Sequence, residues 1–520
     1  MLQFLLLFFL RFHFEIPKIG KQYTFHQKLD HFNSSDNVFF DQIYYQNDTF
    51  LDKSNPSIVV YIGGEATMSY ENTIPSGAME DITLKTGSSF IALEHRFYGK
   101  SAPFEYDLTT ENLKKYLTSD QALADLAVFI TEKKKEVCIN NLDCRVLVIG
   151  GSYAGTLSSM FRMKYPHIAN YSWASSPPLN IKLDFYEYDW HVGNSIKKRD
   201  QKCYDRTKII MNSIESNITN YNYFRSKTNF KNSTDRVSCL SAIADLFAGM
   251  VQYDLNNDGI NDYCGSKITT LDEFINYFNN SVPNPDDSDS LLLNESSYYQ
   301  PIDYKNSRAW TWQTCNEFGW FQTAYHDDSV RFRSKEINLS YYDRICRTLF
   351  DVGLPSVDDI NLRYGLTSPK TTNVIYVNGL TDPWSQVSIL DNQVDQTKQQ
   401  FSFHIDGGSH CSDLRKYPNE TKLGDLVNKR NEIIRIIMNW YYFNESECSK
   451  HGQPSLSCCV CSKSRSGLNC ENLSVMEKTF KVFSGLVVAL PTLMMIVIGI
   501  AAWRLFQKEQ SEPQIRTIIS

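Results

Sequence analysis

The stretch that constrains this chain most is Arg145-Val146-Leu147-Val148-Ile149-Gly150-Gly151-Ser152-Tyr153-Ala154-Gly155. Val146 to Ile149 is an unbroken apolar run, the signature of a short strand buried on both faces. Gly150 and Gly151 permit a sharp turn because they carry no Cβ. Thr156 to Tyr165 reads as a helix, which Pro166 ends. A serine at the apex of such a unit has its hydroxyl pushed beyond the strand end. There the N-terminus of the helix offers free N–H groups to a developing anion. Ser152 is therefore a candidate nucleophile. The pattern departs from G-x-S-x-G, since Ala154 holds the fifth position and a glycine follows at Gly155. A plain Gly-Ser turn is the alternative until partners for the serine are found.

The same alternation surrounds this unit. Phe39–Tyr45, Ser57–Ile62, Ser88–Leu93 and Ser172–Ser176 read as strands. Thr118-Ser119-Asp120-Gln121 has capping-box spacing, and Leu123, Leu126, Ala127 and Ile130 behind it form a helical apolar stripe. Strands alternating with helices predict a mainly parallel sheet. From 180 to 358 the alternation stops, and that segment is expected to be a helical cap inserted over the sheet. Strands return at Asn373–Val377 and Phe401–Ile405, and a helix over Leu426–Tyr442 closes the body. Residues 19–179 and 359–446 are thus the two parts of one domain.

A serine hydroxyl needs a base to take its proton and a third group to orient that base. Asp382 lies in the turn Asn378-Gly379-Leu380-Thr381-Asp382-Pro383-Trp384, and His410 ends Gly407-Gly408-Ser409-His410. Ser152, Asp382 and His410 fall in the serine–acid–histidine order of an α/β-hydrolase. Each stands just past the C-terminal end of a predicted strand, where sites on parallel sheets collect. Taken singly, each is a common loop residue; their joint order and placement point to a triad. An oxyanion hole would use the backbone N–H of Tyr153 and a second from Gly64, in the Gly63-Gly64-Glu65 turn.

These blocks resemble the serine peptidases of the prolyl carboxypeptidase group. The similarity is carried by Gly150–Gly155, Glu94-His95-Arg96-Phe97-Tyr98-Gly99, Asn378–Trp384 and Gly408-Ser409-His410. Trp312-Gln313-Thr314-Cys315-Asn316-Glu317-Phe318-Gly319 is similar to a further block of the thymus-specific branch. The resemblance runs from about residue 20 to 445 and does not cover the C-terminal tail. It implies an α/β-hydrolase with a helical lid and cofactor-free exopeptidase action on peptide substrates, often beside proline. Carboxypeptidase and dipeptidyl-peptidase action both remain open. Glu65 and Glu317 are candidates for gripping a substrate terminus, and Trp312 and Trp384 for walling a proline pocket. Ordinary salt bridges and aromatic core are their respective alternatives. An esterase and a non-catalytic hydrolase-fold binding protein are the competing classes.

The remaining signals concern compartment. The 52 basic and 59 acidic side chains give a net charge of −7, which offers no basic face for nucleic acid. Residues 1–18 carry an apolar run and read as a signal peptide. Residues 482–504 read as one membrane-spanning helix and 505–520 as a cytosolic tail. The chain is expected to be a single-pass type I membrane protein, lysosomal, vacuolar or at the cell surface, and a homodimer is compatible with it. Sequons at Asn33, Asn47, Asn217, Asn232, Asn294, Asn338, Asn419 and Asn444 agree with that compartment, as do the 13 cysteines. Asn170, behind the serine helix, is expected to stay unmodified, and Cys411 to be disulfide-bonded. Five cysteines crowd residues 447–475, an EGF-like segment or a plain disulfide knot. Asp254-x-Asn256-x-Asp258-Gly259 looks like a calcium loop, but position twelve is Gly265 rather than a glutamate, so an Asx-rich turn is expected and no metal site.

Overall fold

The computed structural model describes residues 21–442 except 36, 70–74, 140–143, 257, 286–300, 366–367, 390, 419 and 421–422. Beyond 442 it describes only the backbone of four short strands. In chain order the strands of the body are β1 Lys21–Lys28, β2 Phe39–Asn47, β3 Ser57–Ile62, β4 Ser88–Leu93 and β5 Val146–Gly151. They continue as β6 Tyr171–Ser175, β7 Lys182–Asp184, β8 Gly319–Phe321, β9 Val374–Gly379 and β10 Gln400–Ile405. Eight of them form one sheet in the order β1-β2-β4-β3-β5-β6-β9-β10. β1 pairs antiparallel with β2, and β2 antiparallel with β4, while all pairings from β4 to β10 are parallel.

The apolar runs explain this order. β4, β6 and β9 are buried at every position, and β3 and β5 at all but one. Strands covered on both faces belong inside a parallel sheet. β1 has no such signal; its first four residues are exposed, and only its ladder with β2 makes it a strand.

The helix Ser119–Val137 packs Leu123, Leu126, Ala127 and Ile130 into the core. Thr118 caps it by accepting from Gln121 N. The Gln121 side chain does not complete a capping box. It donates instead to Asp30 and accepts from His31 N.

Between β6 and β9 lies a helical insertion, so the arrangement is an α/β-hydrolase fold with a helical cap. Its helices begin at Tyr186–Arg199 and end at Val357–Tyr364, past the expected boundary at 358. Gly365 stops the last one with a φ of 56°, a left-handed cap that glycine takes freely. β7 and β8 bracket most of the insertion as a parallel pair. Disulfides link Cys138–Cys144, Cys203–Cys264 and Cys315–Cys346. Cys411 is a free thiol, a correction to the expected disulfide: it is buried with its Sγ 3.8 Å from Ser175 O. Asp254 accepts from Gly259 N at 2.8 Å.

Asn33, Asn217, Asn232 and Asn338 are exposed. Asn47 is corrected as a glycan site: it is 5% exposed, and its side chain accepts from Thr49 N. Asn170 is half-buried and holds Val146 N at 2.9 Å. Asn294, Asn419 and Asn444 lie outside the described residues, as do 1–18, 482–504 and 505–520. Among the described residues no helix is long and apolar enough to cross a membrane. In the 447–475 segment, Gly452–Ser455 pairs with Cys458–Cys461 and Arg465–Ser466 with Asn472–Leu473, both antiparallel.

Candidate active site

Ser152 sits between β5 and the helix Tyr153–Lys164 with φ 58° and ψ −130°, a conformation that non-glycine residues rarely adopt. Two backbone bonds hold it there, Ser152 N to Ser175 O at 2.9 Å and Thr156 N to Ser152 O at 3.1 Å. The flanking glycines are required by contact. A Cβ on Gly150 would lie 2.0 Å from Ala154 O, and one on Gly155 2.7 Å from Ser175 O. A Cβ on Gly64 would stand 3.7 Å from the Ala154 methyl, an ordinary contact, so the Gly63-Gly64 turn lies beside the start of this helix.

The loops after β9 and β10 bring Asp382 and His410 together. A Cβ on Gly379 would lie 2.2 Å from Gly408 O, so these loops approach at a distance only glycine allows. Thr381 N donates to Gly408 O at 3.0 Å. Asp382 is fully buried; its Oδ1 accepts from Trp384 N at 3.0 Å, and its Oδ2 stands 2.7 Å from His410 Nδ1. Burial alone would lower the pKa of His410, but the Asp382 carboxylate and the adjacent Cys411 together outweigh it and carry the imidazole well above its ordinary value.

Ser152 and His410 open onto one cavity of about 620 Å3, also lined by Gly63, Gly64, Glu65 and Tyr253. The loop from Gly63 to Met68 forms one wall. A Cβ on Gly63 would meet Leu93 O at 2.7 Å, so the loop lies flat on the end of β4. Glu94 fastens it: the buried carboxylate accepts from Met68 N, Lys100 N and Ser101 Oγ at 2.9, 2.9 and 2.6 Å. This holds Gly64 on the same cavity as Ser152 and Ala154. The cavity thus offers a strained hydroxyl, an acid-paired imidazole and two backbone stretches around them.

A family model described as serine carboxypeptidase S28 matches residues 27–433. The chain belongs to that family. The S28 chain is 28% identical over 461 residues to the thymus-specific serine protease of Mus musculus, covering 81% of this chain and 88% of the relative. It is 28% identical over 466 residues to the lysosomal Pro-X carboxypeptidase of Mus musculus, covering 82% and 91%. Among solved structures, the proline iminopeptidase of Mycobacterium smegmatis aligns at 11% identity over 81% of this chain and 98% of its own. Its TM-score of 0.35 is too low to bear on function.

Of the four candidate substrate contacts in this S28 chain, only Glu65 lines the cavity. Its carboxyl pKa is raised by burial and drawn down by nearby His410. The other three are corrected. Glu317 accepts from Ser119 N and Ser119 Oγ at 2.9 and 3.2 Å, capping the helix that Gln121 leaves half-capped. Burial pushes its carboxyl up to about 7. Trp312 is wholly buried, packs edge-on against Phe350 and donates to Leu117 O. Trp384 is core, ringed by Phe185, Tyr188 and Trp320.

Sequence reasoning missed a buried polar chain beneath the serine. Tyr98 OH donates to Gln313 Oε1, and Gln313 Nε2 donates to Tyr153 OH at 2.8 Å. Tyr153 OH donates to His95 Nε2 at 3.0 Å, because His95 Nδ1 already gives its hydrogen to Arg96 O at 2.7 Å. Burial lowers the pKa of His95 to about 4, so the ring is neutral. The Glu94–Gly99 and Trp312–Gly319 blocks held the signal, but nothing local says that they meet.

Proposed function

We propose that this chain is a serine exopeptidase with Ser152 as nucleophile, His410 as general base and then acid, and Asp382 as the carboxylate that orients the imidazole. The observation that carries the reading is the 2.7 Å contact between Asp382 Oδ2 and His410 Nδ1, with His410 lining the same cavity as Ser152. A carboxylate only accepts, so Nδ1 keeps its hydrogen and Nε2 is left with a lone pair for the Ser152 proton.

In the first half-reaction Ser152 Oγ attacks the peptide carbonyl while His410 Nε2 takes its proton. The developing oxyanion is held by the N–H groups of Tyr153 and Gly64. Collapse breaks the C–N bond, and His410 returns the proton to the leaving amine. Water, deprotonated by His410, then hydrolyses the acyl-enzyme and restores Ser152. Membership of the S28 family supports peptide substrates, and the name of the Pro-X carboxypeptidase relative supports a preference for bonds beside proline. The cap favours chain ends over internal bonds. Three disulfides in the described residues support passage through the secretory pathway. The apolar run 482–504 supports a single membrane anchor with the body lumenal or extracellular, and Asn33, Asn217, Asn232 and Asn338 are the glycan sites.

A fluorophosphonate probe tests the reading. The wild type is expected to be labelled and Ser152→Ala not; equal labelling of both would sink the enzyme assignment. Peptides blocked at one end or the other then report which terminus is read, and turnover of esters alone would favour an esterase.

A further inference from the structure

We propose that Gln252, at the end of a helix of the inserted cap, is a positioning residue that sets Asp382 and His410 relative to each other. The inference rests on the triad reading above.

Gln252 closes the helix Arg236–Gln252 and touches both loops that carry the pair. Its backbone carbonyl accepts from His410 N at 2.9 Å. Its side-chain Oε1 accepts from Trp384 Nε1 at 3.0 Å and from Tyr188 OH at 2.7 Å. Trp384 in turn gives its backbone N–H to Asp382 Oδ1. One residue therefore fixes the backbone of His410 and, through a single indole, the turn that aims Asp382. The following residues extend the seam. Tyr253 packs edge-on against the His410 ring at 6.0 Å, Asp254 O accepts from Thr381 Oγ1 at 2.8 Å, and Asn256 N donates to Gly407 O at 2.9 Å.

Such a seam has a physical purpose. β9 and β10 deliver their loops to the right end of the sheet, but loops beyond strand ends rely on other elements for rigidity. A general base must stay within hydrogen-bond reach of the hydroxyl it serves, and small displacements are costly. An oxygen that accepts two hydrogen bonds inside a packed aromatic cluster is a rigid reference point. The cap thereby enters the acid–base machinery and does more than cover the cavity.

The test measures the second-order rate of fluorophosphonate labelling against pH in the full chain, together with kcat and KM on a peptide it cleaves. Gln252→Met keeps the length and removes the acceptor; Gln252→Glu keeps the acceptor oxygens. The first should lower the labelling rate and kcat by about tenfold to a hundredfold with KM little changed. It should also move the acid limb of the rate profile to lower pH, because His410 would lose part of its hold on Asp382. The groups facing His410 are Asp382, Cys411, Glu65 and Tyr253, and none of the others is altered. Gln252→Glu should recover most of the rate. Trp384→Phe, which removes the same hydrogen bond from the other side, should reproduce the Gln252→Met profile if that variant folds poorly, and the double variant should be no worse than either. A Gln252→Met or Trp384→Phe protein that folds and labels with the wild-type rate and pH midpoint overturns the proposal. If Ser152→Ala still abolishes labelling in that case, the peptidase reading stands without it.

Discussion

His410 Nδ1 stands 2.7 Å from Asp382 Oδ2, a contact between residues that are 4% and 0% exposed and sit on two different loops. Everything around it favours one orientation of the ring. The Asp382 carboxylate receives Trp384 N on its other oxygen, and the His410 backbone is held by the cap.

Replacing Asp382 by Asn should keep the fold and remove the charge. Loss of the correct tautomer and of imidazolium stabilisation should reduce kcat by about 10⁴, with KM nearly unchanged. The sign of the pH effect follows from the raised pKa of His410. The base works when neutral, so the rate climbs as pH passes through that pKa. Without Asp382 the residual activity should climb at lower pH. Steady-state kinetics across pH check both outcomes.

Glu317 gives a stability prediction with the opposite pH logic. Its folded-state pKa of about 7 lies above the ordinary glutamate value of 4.5, with burial as the main cause. Between those values the folded protein binds more protons than the unfolded one, so this group makes stability fall as pH rises. Glu317→Gln can keep both contacts with Ser119 and does not ionise. Its stability relative to wild type should grow from pH 4.5 to 7, by up to about 3 kcal/mol. Urea denaturation of both proteins at several pH values is the measurement.

Gln313 joins Tyr98 to Tyr153 inside the protein and is wholly buried. Gln313→Leu leaves two tyrosine hydroxyls short of a partner. The expected cost is about 1–3 kcal/mol in denaturant unfolding. A loss below about 0.5 kcal/mol would mean that the chain relaxes onto other partners.

Cys203–Cys264 closes a 61-residue span within the cap. Cutting it in the double variant Cys203→Ser, Cys264→Ser should destabilise the protein by about 4 kcal/mol if the loop entropy of the unfolded chain dominates. A calorimetric comparison would show it as a lower Tm, and limited proteolysis should cut first in the cap.

The site was legible from sequence in a particular way. The turns bearing Ser152, Asp382 and His410 could be placed because each follows a strand marked by an apolar run, and Gly150, Gly379 and Gly408 announce backbones in close approach. Glu94 was visible only as a member of a conspicuous block, whereas Glu65 was read as a substrate contact and does line the cavity. Trp312, Trp384 and Glu317 were read towards the substrate because aromatic and acidic residues look alike whether they face a ligand or a core.

Sequence by itself determined the interior strands, the serine turn and the order of the three loops, because these depend on hydrophobic runs and on glycine sterics within a few residues. Tertiary structure alone decided the rest. β1 is a strand because β2 pairs with it. Glu317 reaches back 198 residues to cap a helix, Trp312 finds Leu117 195 residues away, and Gln252 meets Trp384 across 132. No local pattern encodes such contacts. They exist because the cap and the sheet bury their faces together, and buried polar groups must then find whatever partner the packing leaves within reach.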